Sequence, residues 1–179
     1  MKYAQIFYSD VANGPGIRTS LFVSGCTHHC KECFNPCTWD FGFGDDFTPE
    51  VEDQIISSLE PEWVDGLTVL GGEPMEPVNQ RSLLPFFQKV KEKFPDKPLW
   101  IYSGYTYEEL LQSKRCHLEG VTEKILELAD VLVDGEFEID KRNISLKYRG
   151  SENQRIIDLP ATLNALNSRN EGNIIIKMT

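Results

Sequence analysis

Along this chain, apolar runs of strand length alternate with longer stretches in which apolar residues recur every three or four positions. Ile6-Phe7-Tyr8 is expected to form a short first strand. Asn13-Gly14-Pro15-Gly16 then supplies a turn, because glycine accepts positive φ and proline cannot continue a ladder. Arg18, just past the turn, is expected to face an anion or solvent. Residues 19–24 read as a buried strand, β-branched and aromatic at its centre. After a loop-rich stretch with Pro36, Gly42 and Gly44, Thr48-Pro49 gives the cap and first position of a helix whose apolar face is Val51, Ile55, Ile56 and Leu59. A strand over 66–70 stops at Gly71-Gly72-Glu73-Pro74. Helical periodicity returns in Leu83, Leu84, Phe86, Phe87, Val90 and Phe94, with Pro85 expected in the first turn or at a kink. Residues 99–102 make the next strand, and Thr106-Tyr107-Glu108-Glu109 has capping-box spacing for a following helix. A helix over 122–129 and a strand over 131–133 come next. Late strands at 156–157 and 174–176 bracket a helix over 160–166.

Strands alternating with helices of this length imply βαβ units, so the expected fold class is α/β, with a mainly parallel sheet and right-handed crossovers. Residues 1–179 read as a single domain without internal repeats or low-complexity tracts. The loops of chemical interest leave the carboxyl ends of successive strands: the cysteine loop, Gly71-Gly72-Glu73, Ser103-Gly104-Tyr105 and Asp134-Gly135. Parallel α/β proteins bind their ligands along that edge. A chain of 179 residues is too short for eight ordinary βα units, so an open, partial βα barrel is expected.

Charge narrows the partners. With 18 basic and 28 acidic side chains the formal charge is −10, which opposes broad attraction to nucleic acid or to an anionic membrane, and neither is expected as a partner. The amino-terminal residues lack the apolar core of a signal peptide, and no run approaches the roughly 20 apolar residues of a membrane span. Four of the five cysteines fall between positions 26 and 37, a poor distribution for a disulfide framework, so a reducing, cytoplasmic setting is expected.

Those cysteines carry the strongest chemical signal. Cys26-Thr27-His28-His29-Cys30-Lys31-Glu32-Cys33 follows the apolar run Leu21-Phe22-Val23. Three thiolates at C-x3-C-x2-C spacing, on a loop leaving a strand, suit an iron–sulfur cluster. The fourth iron then lacks a protein ligand, the open position that separates three-ligand catalytic zinc from four-ligand structural zinc. Two rival readings stand beside this one. Cys37 as a fourth thiolate would close the cluster and make the protein a ferredoxin-like electron carrier, although ferredoxins of the bacterial kind open with C-x2-C. His28 and His29 raise a zinc site, but histidines inside a three-residue gap reach the same metal with difficulty. Trp39 and the aromatics around it would roof the site or simply be buried. Cys116 and His117, after Lys114-Arg115, look like surface residues, and Asp134 would bind a ribose hydroxyl or cap a turn.

The C-x3-C-x2-C motif resembles the signature of the radical S-adenosylmethionine enzymes. Residues 12–26, Asn35, Thr38-Trp39, Gly71-Gly72-Glu73-Pro74, Tyr102-Ser103-Gly104-Tyr105-Thr106 and Gly150-Ser151-Glu152-Asn153-Gln154-Arg155 narrow the resemblance to the glycyl-radical-enzyme activases that serve anaerobic ribonucleoside-triphosphate reductase. The resemblance implies a radical SAM type of barrel, and a [4Fe-4S] cluster on Cys26, Cys30 and Cys33. It implies S-adenosyl-L-methionine held by Gly71, Gly72 and Glu73 at its amino group. Related enzymes place an adenine-contacting aromatic just before the third cysteine. Glu32 stands there in this chain, so Phe34 or the backbone from Glu32 through Cys33 to Phe34 is the expected contact.

The implied reaction takes an electron from a flavodoxin-like or other low-potential donor, cleaves S-adenosylmethionine, and installs a glycyl radical on the large subunit of the reductase. No catalytic side chain beyond the cofactors is expected, since the cofactors carry the chemistry. Docking to the reductase is the hypothesis for the Arg155 segment. A radical S-adenosylmethionine enzyme acting on a small metabolite, of the deazapurine type, is the alternative within the same chemistry.

Overall fold

The computed structural model describes residues 1–167 and 173–177. Lys2–Asp10 (β1) pairs antiparallel with Arg18–Val23 (β2), and Asp45–Asp46 (β3) meets the outer edge of β1 at Lys2 and Tyr3. Pro49–Ser58 (α1), Gly66–Gly71 (β4), Pro77–Lys93 (α2), Leu99–Tyr102 (β5), Tyr107–Gln112 (α3) and Thr122–Leu128 (α4) follow. Val131–Asp134 (β6), Arg155–Asp158 (β7) and Leu159–Asn167 (α5) complete the strands and α-helices among the described residues. The strands form one sheet in the order β3-β1-β2-β4-β5-β6-β7. Its centre, β2-β4-β5-β6, is parallel as expected for an α/β chain, while both borders are antiparallel.

Alternation along the strands divides the sheet into two faces. Leu21, Val23, Leu67, Val69, Leu99, Ile101 and Leu132 join the helices in the main core. There α2 contributes Leu83, Phe86, Phe87 and Val90, all essentially without solvent contact, and each such burial stabilises the fold by roughly 1.5–3 kcal/mol. On the opposite face Trp100, Val131, Val133 and Ile156 form a smaller cluster against Tyr102 and Tyr148.

Several expectations shift. The first strand runs the full length of Lys2–Asp10 because β2 gives it a partner along that length. Pro77, not Pro85, opens α2; Pro85 lies inside the helix on an exposed position, on the side where the carbonyl that its missing N–H leaves free faces solvent rather than the core. Residues 174–176 form no strand, since only an isolated bridge, Ile157 with Ile176, joins them to β7. Arg18 faces neither solvent nor an anion. It is fully buried, donating from Nε to Thr68 Oγ1 (2.7 Å) and from Nη2 to the carbonyls of Leu67 (2.8 Å) and Pro98 (2.7 Å). Burial without a carboxylate partner pulls its pKa down to about 10.

A cleft built from three strand ends

The cysteine loop leaves β2 and is pinned at its base, where the N–H groups of Gly25 and Cys26 donate to the carbonyls of Thr38 (2.8 Å) and Trp39 (3.2 Å). A single 3₁₀ turn, Pro36–Trp39, returns the chain to that base. Between these points the backbone reverses through two non-glycine residues in the left-handed region, His29 (φ 55°) and Glu32 (φ 59°). Such conformations cost of order 1–3 kcal/mol each and are kept where the surroundings over-determine them. Their effect is to place Cys26, Cys30 and Cys33 on one cleft of about 810 Å³. All three thiols are free. Burial pushes the Cys26 thiol up to about 11, and burial together with the Glu136 carboxylate pushes Cys30 up to about 12. Cys37 is exposed, donates to Asn35 Oδ1 (3.1 Å), and is absent from the cleft wall.

The second strand end is that of β4. Gly71 has φ 109°, and a Cβ there would stand 2.9 Å from backbone atoms of Phe22 and Val23; at Gly72 it would stand 2.7 Å from the Gly25 carbonyl. Only glycine lets this turn lie against the cysteine loop, where Gly72 N–H donates to Val23 O (2.8 Å) and Glu73 N–H to Gly25 O (2.8 Å). Glu73 is 1% exposed. Its Oε1 accepts from Met75 N–H (2.8 Å) and Ser103 Oγ (2.9 Å), and its Oε2 accepts from Gly104 N–H (2.7 Å) and pairs with His28 Nε2 at 3.1 Å. Those four contacts match the roughly four lone-pair sites of a carboxylate. Burial lowers the His28 pKa, but the Glu73 hydrogen bond and charge outweigh it and leave the imidazole raised. Beside this pair Glu76 Oε1 accepts from Thr27 N–H (2.9 Å) and Thr27 Oγ1, tying the loop to the start of α2.

Beyond β6 and before β7, residues 136–150 supply the opposite wall, with Phe137, Ile139, Ile144, Leu146 and Tyr148 on the cleft. Gln154 holds this loop in shape: its Nε2 donates to Gly135 O (2.9 Å), and its Oε1 accepts from Gly150 N–H (2.8 Å) and Ser151 N–H (3.2 Å). Tyr148, itself left-handed at φ 58°, packs edge-on against Trp100 at 5.5 Å.

Gly71, Gly72, Glu73, Glu32, Cys33 and Phe34 all line this cleft. Glu32 is exposed, and Phe34 is fully exposed at the mouth. Of the other aromatics, Trp39 lines the cleft and stacks on His29 at 4.7 Å, Phe41 and Phe43 remain exposed, and Phe47 packs into the core on Phe86. Asp134 is turned to capping: buried, it accepts from Tyr107 N–H at the start of α3 (2.8 Å) and from Arg155 Nε (2.9 Å). Cys116 is buried, with Sγ donating to Glu109 O (3.4 Å), so it is no surface residue. The histidines offered to zinc are engaged elsewhere, His28 on Glu73 and His29 on Trp39. Among the described residues no three Cys, His, Asp or Glu side chains gather round the point a single ion would take. A cubane asks for something different, separate thiolates on separate irons.

Comparison with known proteins places the chain in a family. A family model described as a 4Fe-4S single cluster domain matches residues 12–157. The anaerobic ribonucleoside-triphosphate reductase-activating protein of Pasteurella multocida is 44% identical over 158 residues, covering 87% of this chain and 96% of that protein. The chain belongs to that activating-protein family. Its membership extends to relatives of the same name in Escherichia coli K12, 38% identical over 156 residues (86% and 96% covered), and in Enterobacteria phage T4, 36% identical over 158 residues (87% and 93% covered). Residues 12–157 take in every cleft element above, from the turn before β2 to the loop ahead of β7. Among the described residues no helix is long and apolar enough to cross a membrane.

Proposed function

We propose that this protein is the activating enzyme of an anaerobic ribonucleoside-triphosphate reductase and works as a radical S-adenosylmethionine enzyme on an open, partial βα barrel. The observation that carries the reading is the grouping of three free thiols, with the fourth nearby cysteine turned away, on a cleft whose floor is a glycine turn. Cys26, Cys30 and Cys33 would hold a [4Fe-4S] cluster. When bound, the cluster would supply the electron for reductive cleavage of S-adenosylmethionine, the chemistry by which a hydrogen atom would be removed from a glycine of the reductase.

The chain's own part is placement and exclusion of water. Main chain at Gly71 and Gly72 lines the cleft and would meet the methionine end of S-adenosylmethionine there. Glu73, already filled by four protein contacts, serves that end best by fixing the turn and lending its charge. Backbone from Glu32 to Phe34 reaches the adenine side. Apolar residues of the 136–150 wall keep water from a radical that any stray hydrogen donor would quench. A low-potential donor of flavodoxin type supplies the electron, and a cytoplasmic setting follows from that chemistry.

The decisive experiment is anaerobic reconstitution with iron and sulfide. Reductant-dependent release of 5′-deoxyadenosine, followed by a glycyl electron-paramagnetic-resonance signal on addition of the reductase, is expected. Absence of 5′-deoxyadenosine would leave only an electron carrier; release without a glycyl signal would leave an enzyme acting on a small metabolite.

A further inference from the structure

Both walls of the cleft end in side chains for which the fold itself has no use. Among the described residues no large apolar side chain is more exposed than Phe34 (101%) on the cysteine loop or Ile144 (89%) on the wall over 136–150, and both line this one cleft. Ile144 is not thrown outward by a loose loop. The neck of the loop is closed, with Asn143 N–H donating to Gly150 O (3.2 Å), Glu152 N–H to Lys141 O (2.9 Å), and an antiparallel bridge joining Arg142 to Ser151. The Asn143 side chain then fixes the tip: its Nδ2 donates to Glu152 Oε1 (2.9 Å), and its Oδ1 accepts from Ser145 N–H (3.0 Å) and Ser145 Oγ (2.6 Å). An isoleucine held in water by the hydrogen bonds of its own loop is contact area whose ordering is complete before a partner arrives.

Charge singles out the same loop. Residues 141–150 hold four cations and no acid, in a chain of formal charge −10. Two of them are engaged, Lys141 on Glu138 (2.7 Å) and Arg149 on the Gln154 carbonyl (2.6 Å). Among the described residues Lys147 and Arg142 form no ion pair, and the exposed Arg142 lines the cleft with Ile144, unpaired with Glu32 on the facing lip. A free guanidinium is a fork for a carboxylate. On the activating reading above, a glycine has to enter this cleft to lose its hydrogen atom, so the segment that carries it has to pass between these lips. A small anion would meet the guanidinium as well, but it would leave Phe34 and Ile144 in water. We propose that the loop over 142–149 is the lip on which the reductase docks: Ile144, with Phe34 opposite, packs on apolar side chains beside the glycine, and Arg142 pairs with a carboxylate of the same segment. The proposal rests on that reading, and within it Arg142 selects for an acidic segment against the repulsion of an acidic chain.

The test compares Arg142→Glu with Arg142→Lys in the anaerobically reconstituted protein. At low salt Arg142→Glu should raise the KM for the reductase in glycyl-radical formation about tenfold, through a lost pair and a new repulsion, while Arg142→Lys, which keeps the charge, stays within about threefold. Added salt should bring these KM values together. The Kd for S-adenosylmethionine, measured without reductase, should not change in either variant. Ile144→Ala tests the apolar half: its side chain is exposed, so the thermal midpoint should hold while the KM rises about fivefold. An unchanged KM in Arg142→Glu overturns the proposal, because the guanidinium is then a solvated surface charge. Equal weakening toward S-adenosylmethionine overturns it by assigning the guanidinium to the carboxylate of the cofactor. A KM for Arg142→Lys as poor as that for Arg142→Glu overturns the ionic pairing, and an unaltered KM in Ile144→Ala overturns the apolar contact. Wild-type protein that releases 5′-deoxyadenosine but gives no glycyl signal fails the activating reading itself, and this inference falls with it.

Discussion

Replacing Arg155 by alanine should destabilise the fold by about 4 kcal/mol. The guanidinium bridges two carboxylates, donating from Nε and Nη2 to Asp134 and from Nη1 (3.0 Å) and Nη2 (2.7 Å) to Glu108. The two carboxylates differ sharply in exposure, 1% for the Asp134 side chain and 50% for Glu108. Losing the Glu108 pair costs at most about 1 kcal/mol, since an exposed ion pair is screened by water. Losing the Asp134 pair strands a buried carboxylate with Tyr107 N–H as its remaining partner, a change worth about 3–5 kcal/mol. In a chain of this size 1 kcal/mol moves the thermal midpoint by about 3 °C, so a fall of roughly 10 °C is expected.

Urea unfolding of the metal-free protein measures the effect directly. A second variant isolates the cause: Asp134→Asn combined with Arg155→Ala keeps an acceptor for Tyr107 N–H but removes the stranded charge. It should therefore recover about 2 kcal/mol relative to the sum of the single changes. A loss under about 1 kcal/mol for Arg155→Ala, or strict additivity in the double variant, would refute the reasoning and return Arg155 to a docking role. The register pair Asp134 with Arg155 is where antiparallel β7 is fastened to β6, so the same side chain that resembles a family signature holds the border of the sheet.

Serine at Cys26, Cys30 or Cys33 should abolish iron retention after reconstitution, whereas Cys37→Ser should keep iron, sulfide and cleavage of S-adenosylmethionine; chemical analysis of iron per chain decides. Glu32→Gly should stabilise the metal-free protein by about 1 kcal/mol in urea unfolding, because it relieves a left-handed backbone at a modest entropic cost. The metal-free protein should also lose stability above about pH 9. Unfolded thiols ionise near 9, while Cys26 and Cys30 stay protonated in the folded state to about 11 and about 12. The folded state then holds more protons than the unfolded one, and stability falls as pH rises through that window. A midpoint that is flat from pH 8 to 10, or a fall that survives Cys26→Ser with Cys30→Ser, would contradict this.

Much of the scaffold was legible from pattern alone. Thr48-Pro49 does open α1, Thr106 and Glu109 do form a reciprocal capping box, and the strands at β2, β4, β5 and β6 lie where apolar runs put them. Local rules decide such features, so a local reading finds them. The misreadings have non-local causes. Arg18 reads as facing an anion or solvent until carbonyls from β4 and from Pro98 surround it. Pro85 reads as a first-turn residue or a kink, and the first of these falls once Pro77 is seen to open α2, since either proline suits a first turn. At the site, cysteine spacing and the strand-end glycines were readable because each is short-range chemistry. His28 was weighed only as a metal ligand, for its use depends on Glu73, 45 residues away. The wall over 136–150 carries no periodic signal, being held by side chains of residues 151–154, among them Gln154 on Gly135, Gly150 and Ser151 and Asn153 on Glu136.

Glu73 explains why three loops from three strand ends act as one body. Its carboxylate takes a contact from the cysteine loop through His28, from its own turn through Met75, and from the end of β5 through Ser103 and Gly104. A buried acid satisfied from three directions is costly to displace, since removing any donor leaves charge unpaired at low dielectric. The thiols and the glycine turn are therefore set relative to each other before a cluster or a nucleoside arrives, and binding need not bear the entropy of assembling them. The left-handed residues His29 and Glu32 are the counterpart of that order: strain in the loop is tolerated because the frame beneath it does not yield.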